Sequence, residues 1–128
     1  MEINAHYLAA IENYIGAYNR FDVSGMCRQL SDGIIFENIS GGNVEMNITG
    51  IENFKKQAEA AVAYFSERHQ KIEKMSCHGN TVTAEIDYTG KLAADFPNGM
   101  KKGEMLKLRG VSEFTFEKGE IISIRDIS

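Results

Sequence analysis

The spacing of the apolar residues changes once along this chain, and that change limits the folds open to it. In the first half they recur every three to four positions. Tyr7, Leu8, Ile11, Tyr14, Ile15 and Tyr18 form one stripe, and Ile51, Phe54, Ala58, Ala61, Val62 and Phe65 form another. Such stripes fit amphipathic helices. From Arg68 onward the period is two: Val82, Ala84, Ile86 and Tyr88 alternate with Thr81, Thr83, Glu85 and Asp87. That spacing predicts strands with one buried face. Helical stripes and a run of consecutive strands must bury one another, which is an α+β layer arrangement.

The punctuation places the elements. A first helix is expected over Ala5–Arg20, then a short one capped by Asp22, carrying Met26, Cys27 and Leu30 and stopped at Asp32-Gly33. Ile34–Ile39, the turn Ser40-Gly41-Gly42-Asn43 and a second strand with Met46 and Ile48 read as a hairpin. Thr49-Gly50-Ile51-Glu52 matches a capping box opening a third helix that ends near Glu67. Strands follow over His69–Cys77, Thr81–Thr89, Met105–Phe116 and Ile121–Ile127, with a loop around Phe96-Pro97-Asn98-Gly99. The 128 residues suit one domain, 1–128. Long adjacent strands twist, so the sheet is expected to curve around the helices and leave a cavity where they do not fill it.

Several function classes are disfavoured. The net charge is −4 and the acidic and basic residues are interspersed, so there is no basic face for a phosphate backbone or an anionic membrane. No apolar run approaches the roughly 20 residues that span a bilayer. Met1-Glu2-Ile3-Asn4 lacks the basic start of a secretory leader, so a cytoplasmic protein is expected. In that reducing compartment Cys27 and Cys77 are expected as buried free thiols rather than a disulfide. His6, His69 and His78 are too scattered for a metal site, and no nucleotide fingerprint is present, so neither metal nor cofactor is expected.

Alternation also exposes the polar residues that fall on apolar faces. Asn38 shares a face with Ile34 and Phe36, Ser112 lies between Gly110 and Phe114, and Asp126 continues the line of Ile122 and Ile124. Tyr14 carries its hydroxyl at the tip of a ring within the first helical stripe. A buried carboxylate must be paired, protonated or open to a cavity. Each has a plain structural alternative: Tyr14 as a core tyrosine, Asp126 paired with Arg109 or Arg125, Asn38 bonded at a hairpin end, Ser112 as a small packing residue. Tyr18, Phe36, Tyr88, Phe114 and Ile124 are the expected apolar and aromatic ligand contacts beside them.

These residues resemble a family. The run from Tyr14 to Asp22, then Leu30-Ser31-Asp32-Gly33 and Ile48-Thr49-Gly50-Ile51, is similar to the opening of nuclear transport factor 2-like domains. Tyr88-Thr89-Gly90, Pro97-Asn98-Gly99, Leu108-Arg109-Gly110 and the segment from Phe114 to Ile121 before Arg125-Asp126 resemble SnoaL-like polyketide cyclase domains. The resemblance implies a cone-shaped, cystatin-like fold: three N-terminal helices on a strongly curved, mixed and mainly antiparallel sheet. It implies a small apolar ligand and a homodimer through the convex sheet face. Tyr14 matches the oxyanion-donating tyrosine of the ketosteroid isomerases. Asn38 and Ser112 stand where those enzymes have their two acids, so steroid isomerisation is not expected. Asp126 matches the acid/base aspartate of the SnoaL-like cyclases. In the epoxide hydrolases of the superfamily an arginine accompanies that acid, and here its place holds Glu85.

Three readings remain open. In the first, Asp126, assisted by Tyr14, runs cofactor-independent isomerase, cyclase or lyase chemistry, which requires an inward carboxyl with a raised pKa. In the second the pocket binds a small molecule without chemistry, its aspartate tied to an arginine. The third is a protein-association domain, with a filled core and an exposed apolar patch.

Overall fold

A computed structural model describes residues 3–128; Met1 and Glu2, on which the expectation of no leader partly rests, lie outside the described residues. The element order is α1 (Ala5–Asn19), α2 (Val23–Cys27), β1 (Leu30–Ser40), β2 (Asn43–Thr49), α3 (Ile51–Val62), β3 (Phe65–His78), β4 (Thr81–Leu92), β5 (Met105–Glu117) and β6 (Glu120–Ile127). Two helices therefore precede the β1–β2 hairpin, and the third follows it.

Helix α1 begins at Asn4, whose Oδ1 accepts from the backbone N–H groups of His6 and Tyr7. Its buried face is Ala10, Ile11, Tyr14, Ile15 and Ala17. Asp22 caps α2 by accepting from Gly25 N at 3.0 Å, as the sequence suggests. The capping box expected for α3 does not form. Thr49 is still a β2 residue in register with Ile35, so Gly50 becomes the N-cap, at φ +93° and without a side-chain bond. A positive φ there suits glycine. The same helix stops at Val62 rather than near Glu67, because Phe65 already pairs with Leu92 as the first residue of β3. Tertiary pairing overrides the helical stripe at that point.

The strands form one sheet in the order β2-β1-β6-β5-β4-β3. All neighbours are antiparallel except β1 and β6, which are parallel. The expected cone is a correction: the sheet is open, with β2 and β3 as separate edges, and is not strongly curved or closed. Helices do the work that curvature was expected to do. Helix α3 packs on β1 and β2, α1 reaches β3, and α2 bridges α1 and α3. Charge also discourages the edges from pairing further: β2 carries Glu45, and β3 carries Lys71, Glu73 and Lys74.

The helices and the covered face of the sheet share one core. Ile11, Ile34, Val82, Phe114, Phe116, Ile121 and Ile124 are almost wholly inaccessible. Tyr7 stacks on Phe116 with ring centroids 4.0 Å apart. Cys77 is buried and Cys27 only half-buried, and both are free thiols. No helix among the described residues is long and apolar enough to cross a membrane.

Gly110 is where the sheet is tightest. A methyl group there would lie 2.8 Å from the carbonyl oxygen of Ile127, which is backbone and cannot rotate away. Gly33 has no neighbour within 4 Å of that position. Gly110→Ala is expected to lower unfolding free energy by about 1–3 kcal/mol, and Gly33→Ala to leave it unchanged or slightly raised. Urea denaturation of the two variants checks this, and equal effects would contradict the packing described.

Candidate active site

A cavity of about 480 Å³ lies between the covered sheet face, α1 and α3, within the range of small-molecule sites. Its polar end follows from strand register. Asn38 on β1 stands opposite Asp126 on β6, and Asp126 stands opposite Ser112 on β5. The three side chains thus form one row across the sheet, and all three line the cavity. Ser112 Oγ donates to Asp126 Oδ1 at 2.7 Å. The Asn38 amide and the Tyr14 hydroxyl make no side-chain hydrogen bond among the described residues, so neither is the direct partner of the acid.

Among the described residues Asp126 pairs with no cation. Arg125, the neighbour expected as a possible partner, points to the other face, where it contacts Glu113 at 3.0 Å and Glu37 at 3.4 Å. Arg109, the other expected partner, stays exposed and pairs with no carboxylate among the described residues. Removal from water therefore acts almost unopposed on the Asp126 carboxyl and pushes its pKa up to about 6, against the smaller lowering by the Ser112 hydroxyl. Burial, and then the Asp126 charge, hold the Tyr14 phenol well above its ordinary pKa, so it remains a neutral donor.

The opposite end is aromatic and holds a cation that sequence inspection missed. Tyr18 and Tyr88 share a hydrogen bond of 2.8 Å between their hydroxyls. Phe65 meets Tyr88 and Phe96 edge to face, and Phe96 meets Tyr64 in the same way. Gly90 admits the Phe65 ring, which would lie 2.9 Å from an added methyl. Arg68, 6% exposed, lines this wall. Its guanidinium lies over the Tyr18 ring at 3.7 Å and the Phe21 ring at 4.6 Å, and Nε donates to the Tyr18 carbonyl at 2.9 Å. Its Nη2 is buried and has no partner among the described residues. The two charges act on the helix between them in opposite senses. The Tyr14 phenol feels Asp126 more than Arg68, and Tyr18 feels Arg68 more than Asp126.

Of the remaining expected contacts, Tyr18, Phe36 and Tyr88 line the cavity. Phe114 and Ile124 do not. They are 1% and 0% exposed and lie in the core one row below Ser112 and Asp126, Phe114 holding Tyr14 edge-on at 5.9 Å. Arg68 was legible by phase, since Arg68, Gln70 and Ile72 alternate on one face of β3. The helical stripe extended to Phe65 concealed that phase. Among the described residues no group of His, Cys, Asp or Glu side chains is disposed to hold a metal ion.

The helices set over one face of the sheet accord with the folds of known proteins. Residues 11–124 match the family model of the SnoaL-like domain. The chain belongs to the SnoaL-like domain family. Its fold is that of the nuclear transport factor 2-like superfamily. No curated protein matches the chain. Solved structures resemble it at low identity. AclR, a proposed hydroxylase from Streptomyces galilaeus, is 20% identical with a TM-score of 0.75, covering 95% of this chain and 87% of its own. A proposed SnoaL-like polyketide cyclase from Jannaschia sp. CCS1 is 16% identical with a TM-score of 0.79, covering 98% and 89%. An LEH-like epoxide hydrolase of M. tuberculosis is 17% identical with a TM-score of 0.75, covering 95% and 81%. At these identities the likeness is one of fold.

The SnoaL-like cavity is expected to cost stability in a pH-dependent way. The folded pKa of Asp126 lies above its unfolded value of about 3.9, so its favourable contribution is complete below pH 4 and is lost as pH rises through about 6. Asp126→Asn removes that loss. The stability of the variant relative to the parent should therefore rise by about 2 kcal/mol between pH 4 and pH 8. Denaturant titrations at the two pH values measure the difference; a pH-independent offset would mean that the carboxyl is ordinarily solvated.

Proposed function

We propose that this SnoaL-like domain catalyses cofactor-independent proton transfer on a small apolar carbonyl compound, in an isomerase, cyclase or lyase reaction. The observation that carries the reading is Asp126: a carboxyl on the cavity wall, with a hydroxyl partner but no cation among the described residues, and a pKa raised to about 6. Both protonation states of such a group are accessible near neutral pH, which suits a general base or acid. Asp126 takes the proton from a carbon beside the carbonyl. The Tyr14 hydroxyl, neutral and without an internal partner, donates to the oxygen on which charge develops. The apolar lining of Phe36, Ile48, Phe54 and Leu106 keeps water from competing for the proton.

The names borne by proteins of similar fold, a hydroxylase, a polyketide cyclase and an epoxide hydrolase, support a pocket used for chemistry on small organic molecules. The epoxide-hydrolase mechanism has less support here: no arginine accompanies Asp126, and Glu85 and Asp87 lie on the sheet face away from it. A binding module without chemistry, whose aspartate would be bridged to an arginine, is likewise less favoured. A protein-association domain is disfavoured by the open cavity.

Deuterium exchange at the α-carbons of 2-tetralone in heavy water, followed by proton NMR, tests the reading. The protein should accelerate exchange, with a rate that rises as pH increases through about 6 and then levels off. Asp126→Asn should lower it at least about 100-fold while leaving the ketone's affinity unchanged. Equal exchange rates in variant and parent, with the ketone bound by both, would leave a binding module as the better description.

A further inference from the structure

The proton-transfer reading leaves Arg68 unused, and Arg68 is the least satisfied group in the cavity wall. A guanidinium withdrawn from water needs a counter-charge or a full set of acceptors. Arg68 has one acceptor, the Tyr18 carbonyl, and two aromatic faces. Among the described residues it forms no ion pair with any carboxylate, and Nη2 has no partner. It cannot readily swing away, because the stack between Tyr18 and Phe21 and the bond from Nε fix its plane. A fixed guanidinium in the wall of an open cavity, short of acceptors, is complemented by an anionic oxygen on a ligand.

We propose that Arg68 recognises a carboxylate on the ligand, so that the substrates of this pocket are aromatic or polycyclic acids. The carboxylate docks at the Arg68 end and the reacting carbon lies toward Asp126. The wall supports that class. Around Arg68 the lining is Tyr18, Tyr88, Phe65, Phe96 and Tyr64, rings set to flank a flat carbon skeleton. The register separates the ends: Asp126 lies in the row of Ala84, whereas Arg68 pairs with Gly90, six residues or about 20 Å further along the strand direction, and β3 stands three strands from β6. Both side chains line the same cavity and shorten that span. The anion therefore binds away from the Asp126 carboxylate rather than against it.

The proposal rests on the proposed function only in placing one ligand across this cavity, and its test reads binding without turnover. The probes are 2-naphthoate and its neutral isostere 2-naphthamide, titrated calorimetrically at pH 8. The parent protein should bind the acid at least tenfold more tightly than the amide. Arg68→Gln should abolish the preference while holding the amide within about twofold, and Arg68→Lys should retain part of it. Asp126→Asn should keep the preference. A parent protein that does not favour the acid, including one that binds neither probe, overturns the proposal, as does a preference that survives Arg68→Gln. The parent comparison needs no variant to fold. Acid preference without ketone exchange would remove the catalytic reading alone, and exchange without acid preference would remove this one alone.

Discussion

The parallel pairing of β1 with β6 is the contact on which the remainder of this molecule depends. β6 is inserted between the first hairpin and β5. Without it the hairpin β1–β2 and the meander β3–β4–β5 would be separate sheets, each with an unpaired edge. β6 and the residue after it are tied by backbone bonds to the first half of the chain. Ser128 N donates to the Ile39 carbonyl, Gly41 N donates to the Ser128 carbonyl, and Ile121 N donates to the Gln29 carbonyl. Asp126 is fixed in place by strand pairing on both sides of it.

The same insertion decides which charges meet. Successive residues of a strand point to opposite faces. Arg125 therefore joins Glu37 and Glu113 on the face away from the helices, while Asp126 enters the cavity alone. A shift of one residue in register would exchange them, burying an arginine in the row and exposing the acid. Helix α1 is held just as firmly at the other end. The Asn19 side-chain amide donates to the Gln70 carbonyl and accepts from Gln70 N, taking the place of a neighbouring strand on the β3 edge. With the Arg68–Tyr18 bond beside it, this clamp keeps Tyr14 and Tyr18 over the sheet and the space beneath them open.

Period-two alternation made much of the site legible. Asn38, Ser112 and Asp126 were visible as polar intrusions on apolar faces, and they meet because their strands are adjacent. Tyr14 was visible in the α1 stripe. Depth was not legible: Phe114 and Ile124 share that face, yet lie one row further into the core, beneath α1. Nor was the aromatic wall. Phe65 continues the spacing of α3, and only its pairing with Leu92, far along the chain, makes it a strand residue. Phe96 sits in a loop whose proline and glycine suggested nothing beyond a turn. The expected curvature failed for a similar reason. Twist is a local property of strands, but closure depends on whether the distant edges β2 and β3 meet, and they do not.

The Ser112 hydroxyl gives the row its chemical balance. Burial alone would favour a neutral Asp126, poor as a base at neutral pH. A nearby arginine would have the opposite effect, holding the carboxylate ionised and too weakly basic to accept a proton from carbon. One hydroxyl donating at 2.7 Å opposes part of the burial and introduces no net charge, so the two protonation states stay close in energy. Placing the cation at the far end serves the same balance. Were Arg68 within reach of Asp126 the pair would neutralise each other, and the cavity would lose both its unpaired carboxyl and its under-satisfied donor. The separation of these charges costs stability, and it leaves the pocket with two distinct ends.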